Sequence, residues 1–251
     1  MFDAKSLLDQ FLGGAGGQTA NRQGSGGQRG GGDDLMSRGR DFLTSQGGGL
    51  AVGSIAGLLL GSKSGRKIGK KAVTYGGMAL VAGLAYKAYQ NYKTGQGQDQ
   101  GAAPAAGSPS QAPIPLEPPK GTGFHPEEVP GGANTMAVTL LSAMIAAAKA
   151  DGHIDADEQR RIFDKIDEAG LDSEAKAFLM DELRSPLDLD KIVSSASTPE
   201  VAAEIYAVSR LAIDPDHAAE KAYLQMLAAR LNLDAGLVDE IEIAVREAEE
   251  A

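Results

Sequence analysis

Cysteine and tryptophan are both absent from the 251 residues, and aromatic residues make up only 5%. Without cysteine there are no disulfides, no zinc–thiolate sites and no cysteine nucleophiles, and the chain suits either side of a bacterial inner membrane. Acidic residues are missing altogether from Phe42 to Gln98. Glycine is almost missing from the other half: after Gly132 only Gly152, Gly170 and Gly236 remain of 33. The N-terminus, MFDAKSLLDQFLGG, lacks a basic region followed by a long apolar run, so it does not read as a cleavable signal peptide.

What is present divides the chain sharply. Residues 1–131 carry 13 basic and 9 acidic side chains, a net of +4; residues 132–251 carry 11 and 25, a net of −14. The sequence pI of 4.8 therefore averages a basic half and an acidic half. Four regions follow: short amphipathic helices and a Gly-rich linker over 1–46, a glycine-patterned segment over 47–93, a Pro/Gly/Gln-rich linker over 94–132, and an acidic all-helical domain over 133–251. Lys5 to Leu12 places Leu7, Leu8, Phe11 and Leu12 on one helical face, either a frayed end or a docking element.

The second region has the clearest pattern. Gly49, Gly53, Gly57, Gly61, Gly65 and Gly69 fall in one four-residue register, which gives a helix a face of small residues that a second helix can approach closely. Two apolar runs, Gly47 to Ser62 and Ala72 to Tyr86, flank a connector bearing Lys63, Arg66, Lys67, Lys70 and Lys71. As helices of 16 and 15 residues they reach roughly 22–24 Å, short of the ~30 Å hydrocarbon layer. Tyr86, Tyr89 and Tyr92 with Lys87 and Lys93 resemble an interfacial belt, and the Lys and Arg side chains of the connector can snorkel to the interface. These features predict a lipid-bilayer partner and self-association through the glycine face, either as a hairpin of two short spans or as one span with the other run in the interface.

In the acidic domain, helix signals predict about seven helices and no strand. Asn134 reads as the cap of the first, Asp155-Ala-Asp-Glu158 as a capping box for the second, and Asp172 or Ser173 as the start of the third. A short turn covers Leu189 to Ser195. Thr198-Pro199 opens the fifth helix, Asp216 the sixth and Asp234 the last. Two acidic loops look like copies: Asp151-Gly-His-Ile-Asp-Ala-Asp-Glu158 and Asp214-Pro-Asp-His-Ala-Ala-Glu220, each followed 13 residues later by Leu-Asp. Asp151, Asp155, Asp157, Glu158, Asp214, Asp216 and Glu220 are the carboxylates that a hard cation such as Ca²⁺ would need. In an EF-hand frame Ala147 and Lys149 would take the first and third positions, so an intact EF-hand is excluded. The alternative is that these acids cap helix N-termini.

The runs AAAKADGHIDADEQRRI, DPDHAAEKAYLQMLAARLNLD and AYKAYQNYK, with the glycine register ahead of them, resemble the YebE-type bacterial inner-membrane proteins. The C-terminal half of that family is similar to the tellurite-resistance TerB fold. The resemblance implies an all-helical two-repeat domain, an acidic surface suited to a metal ion, and a role linked to the cell envelope or to stress. Asp151, Asp155, Glu158, Asp214 and Glu220 are the positions it carries over. Pro215 and the shortening of the second loop depart from it.

Enzyme signatures are weak. GSKSGRKIGKK lacks the GxxxxGK[ST] spacing of a phosphate-binding loop, and no nucleophile pattern stands out. The acidic domain argues against nucleic acid. The sequence therefore predicts a non-enzymatic adaptor of the bacterial inner membrane, with a protein partner for its acidic domain or, alternatively, a divalent-cation module.

Overall fold

The computed structural model describes residues 2–13, 77–96, 118–150, 171–213, 215 and 218–250. Among them are eight helices and no strand: α1 (Ala4–Gly13), α2 (Gly77–Gln96), α3 (Gly132–Ala148), α4 (Ser173–Arg184), α5 (Leu189–Ser194), α6 (Pro199–Ala212), α7 (Ala218–Arg230) and α8 (Ala235–Glu250). The all-α expectation holds.

Helix α6 is the axis of the body, with α2, α3, α7 and α8 packed around it. Thr198 starts it by accepting the Val201 N–H at 3.2 Å, with Pro199 in the first turn, where its missing N–H costs nothing. Every residue from Val201 to Ala212 is buried, including Glu204, Ser209 and Arg210. Asp172 caps α4 by accepting the Ala175 N–H at 2.8 Å, and Asp188 caps α5 through the Lys191 N–H at 3.0 Å. Asp234 caps α8, accepting the Gly236 N–H at 2.8 Å.

One expected cap is corrected. Helix α3 begins at Gly132 behind a left-handed Gly131 that lends no side-chain cap, and Asn134 lies within the first turn. Its carboxamide oxygen instead accepts the Ala4 N–H of α1 at 2.7 Å. An asparagine facing a neighbouring helix's free N–H groups serves that end as well as its own. Asp3 accepts the Ser6 N–H at 2.9 Å and completes the start of α1.

The body is larger than the sequence outlined it. Helix α2, expected in the membrane segment, packs against α8, α6 and α1, while α1 also lies along α3. Met78, Leu80, Val81, Leu84, Ala85 and Ala88 of α2, with Leu7, Leu8 and Leu12 of α1, share one core with Leu140, Ile205 and Ile241. Phe124 and Val129, from the expected linker, are buried in it too. A helix apolar on nearly all sides suits either lipid or a protein interior, and here it takes the interior. Burying Leu7, Leu8 and Leu12 contributes about 1.5–3 kcal/mol each, which is why so short a helix docks rather than frays.

Helices α1 and α2 meet at Gly77. A β-carbon there would stand 2.7 Å from Leu12 Cβ and 2.8 Å from the Leu8 carbonyl oxygen, so only glycine allows this approach. Beside it, the Met78 N–H donates to Asp9 Oδ1 at 3.2 Å. We expect Gly77→Val to lower stability by about 1–3 kcal/mol and to free the α1 amides to exchange. Unchanged protection of Leu7, Leu8 and Leu12 amides in hydrogen exchange would show that the contact is not needed.

Candidate functional site

A cleft of about 300 Å³ opens between the C-terminal half of α3, the end of α4 and the start of α5. Ser142, Lys149, Glu182, Ser185, Asp188 and Lys191 supply its polar groups, two cations against two acids, and Ile145, Pro186, Leu187 and Ile192 its apolar walls. The Ser142 hydroxyl donates to Glu182 Oε1 at 2.6 Å, and Lys191 Nζ donates to both Glu182 oxygens at 2.6 and 2.8 Å. Lys149 Nζ donates to the Glu182 carbonyl at 3.0 Å and to the Ser185 carbonyl, thereby capping the C-terminal end of α4.

The charges in this cleft are matched. Burial alone would raise the Glu182 carboxyl, but hydrogen bonds from Lys191 and Ser142 and the two lysine charges outweigh it and hold it below its usual range. Burial lowers the Lys149 ammonium; the Glu182 charge opposes that shift and the Lys191 charge adds to it. A carboxylate held this way is a weak base toward the Ser142 hydroxyl, so the group suits binding better than proton transfer. Leu187 is 40% exposed, one of the few large apolar side chains left open to solvent. The cleft thus offers an apolar seat beside paired charges.

Further polar groups lie inside the body. Arg210, buried on α6, donates from Nε to Glu242 Oε2 at 2.8 Å, and from Nη1 to the Ile213 carbonyl at 3.1 Å and to Glu249 Oε1 at 3.3 Å. Tyr206 donates to Glu242 Oε1 at 2.9 Å. Burial, followed by the Glu242 charge and this hydrogen bond, pushes the Tyr206 phenol well above its usual range. Glu204 is 1% exposed, its Oε1 has no hydrogen-bond partner, and burial with the Glu200 charge raises its carboxyl well above the ordinary value. Burial likewise pushes the Tyr223 phenol up to about 12.

Most of the sequence-predicted site lies outside the described residues: Asp151, Asp155, Asp157, Glu158, Asp214 and Asp216, the six register glycines from Gly49 to Gly69, and the connector cations Lys63, Arg66, Lys67, Lys70 and Lys71. Glu220 is described, half-buried in the first turn of α7. Among the described residues no group of three or more His, Asp or Glu side chains is placed to hold a metal ion.

The three tyrosines are placed, each half-buried against the protein's own residues. Tyr86 and Tyr89 pack on Phe124, with ring centroids 5.8 and 5.4 Å apart, and Lys93 lies 4.5 Å over the Tyr89 ring. Tyr92 covers Gly236, at 3.2 Å from where a β-carbon would stand. Lys87 pairs with Glu247 at 2.8 Å. The belt-like spacing of these rings reflects one face of α2 meeting the protein's own core. Among the described residues no helix is long and apolar enough to cross a membrane.

The model of the DUF533 family, proteins of unknown function, matches residues 45–245, a span that takes in the glycine register and every described helix from α2 to the greater part of α8. The chain belongs to the DUF533 family. It is also similar to a Yersinia enterocolitica protein described as an uncharacterized protein in the ampR 5′ region, being 32% identical over 108 residues, which cover 43% of this chain and 78% of that relative. No solved structure matches it. In this DUF533 protein the cleft is not legible in the sequence because Ser142, Lys149, Glu182 and Lys191 come from three different helices and the cap of one of them, with no shared spacing. The one local signal was Ser142, a polar residue inside the apolar run of α3.

Proposed function

We propose that this DUF533 protein is a non-enzymatic adaptor held at the bacterial inner membrane, with its acidic helical body turned toward a protein partner. The observation that carries this reading is the stretch 42–76, which has no acid, five basic side chains and five glycines in register from Gly53 to Gly69, within a chain of net charge −10. An acid-free basic stretch beside an apolar run favours an anionic lipid surface. The resemblance to YebE-type proteins, with their TerB-like domain, points to the same setting and to a role in the envelope. On the body, the cleft beside Leu187 is the contact site we assign to the partner, since it joins an exposed apolar side chain to matched charges.

The test is fractionation of the full chain from bacterial membranes, first with high salt and then with alkaline carbonate. Retention through both washes is the expected result. Release by salt alone, or recovery in the soluble fraction, would overturn the membrane reading.

A further inference from the structure

The structure brings the two ends of the stretch 14–76 together. Helix α1 ends at Gly13 and α2 begins at Gly77, and at that point the backbones of the two helices touch, with Gly77 against Leu8 and Leu12 and the Met78 N–H held by Asp9. Both helices are fixed to the same body: α1 through Asn134 and its buried leucines, α2 through α6 and α8. The chain therefore leaves the body and returns to it at one place, after 63 residues.

A chain that leaves and re-enters one folded body at one point crosses a bilayer an even number of times. Two crossings need two apolar runs, each of about 20 residues when helical. Of the two runs in this sequence, the second starts at Ala72, and from Gly77 onward it is buried in the core of the body, with Met78, Leu80, Val81 and Leu84 each at most 1% exposed. Residues 14–46 supply no substitute, being rich in glycine and carrying Asp33, Asp34 and Asp41. One run of 16 residues, Gly47 to Ser62, is left, and a single run cannot cross and return.

We infer that α1, the helical body and the basic connector Lys63–Lys71 all lie on one face of the membrane, which the chain meets without crossing. The face is the cytoplasmic one, because the connector's five positive charges are attracted to the anionic lipid of the cytoplasmic leaflet. The inference rests on the membrane reading above and departs from both architectures left open by the sequence. It replaces both the hairpin of two spans and the single span with an attachment made from one side.

The absence of cysteine makes the test direct. Three full-length variants each carry one cysteine: Ser6→Cys on the exposed side of α1, Ser197→Cys on the exposed surface of the body, and Ser64→Cys in the connector. Spheroplasts are treated with a membrane-impermeant maleimide before and after permeabilisation, and the membrane pellet is recovered. No labelling of any variant in intact spheroplasts, and labelling of all three after permeabilisation, is the expected result. Labelling of Ser6→Cys or Ser64→Cys but not Ser197→Cys in intact spheroplasts, or the reverse, would overturn the one-face arrangement and leave the membrane reading standing. Labelling of all three in intact spheroplasts would overturn the cytoplasmic assignment. Recovery of the protein outside the membrane pellet would remove the membrane reading, and this inference with it.

Discussion

Arg210→Met is expected to destabilise the protein by about 3 kcal/mol at neutral pH, enough to lower its urea midpoint clearly. The guanidinium bonds to both Glu242 and Glu249, and it also holds the Ile213 carbonyl at the end of α6. Removing one side of a buried charge pair typically costs about 3–5 kcal/mol, since the remaining charge stays in a poor solvent. The lower end applies here because the side chains of Glu242 and Glu249 keep 25% and 13% exposure. Both carboxylates would lose the guanidinium, and Glu242 would keep the hydrogen bond from the Tyr206 hydroxyl.

The cause can be separated from lost packing. If unpaired carboxylates carry the cost, adding Glu242→Gln to Arg210→Met recovers part of the deficit, because one of the stranded charges is removed. Arg210→Lys keeps the charge but loses the forked geometry, so it should fall between wild type and the methionine variant. A double variant no more stable than Arg210→Met alone would assign the effect to methionine's fit against α8 instead.

Local chemistry made much of the helical body legible, and tertiary packing hid the rest. Thr198-Pro199, Asp172 and Asp234 start helices where their side chains satisfy the first free N–H groups, and such signals need nothing beyond three residues of chain. Asn134 carried the same signal and was misleading, because its oxygen is used by the Ala4 N–H, 130 residues away. Helix α2 misled for a different reason. An all-round apolar helix with tyrosines and lysines at its end has the same composition in a bilayer as in a protein interior. The choice was made by Leu12, Phe124 and α8, none of which is near it in sequence. The cleft was invisible on the same grounds, since its polar set spans residues 142 to 191 without a repeat. What stays in the sequence alone is the glycine register and the carboxylates of the two acidic loops, of which only Glu220 is among the described residues.

Glu204→Gln is expected to leave the protein about as stable as wild type near pH 4.5 and progressively more stable than wild type above it. Glu204 sits in the middle of α6 among apolar neighbours, with Glu200 one turn earlier as a nearby negative charge and Oε1 without a hydrogen bond. Burial and that charge both disfavour its ionised form, so the folded carboxyl keeps its proton to higher pH than the unfolded one, whose value is near 4.5. Between the two values the folded state binds more protons than the unfolded state, and stability falls as pH rises, by at most about 1.4 kcal/mol per pH unit from this one group. The stabilising contribution is complete below the unfolded value and lost as pH climbs through the folded one. Glutamine keeps the shape of the protonated acid and does not titrate, so it removes this slope alone. General repulsion in an acidic body also weakens it at high pH, and acts on both proteins. The difference between their urea midpoints from pH 4.5 to 8.5 is therefore the decisive quantity. A widening gap assigns the slope to Glu204, whereas parallel profiles would mean that the carboxyl finds water or a partner on ionising and that α6 tolerates its charge.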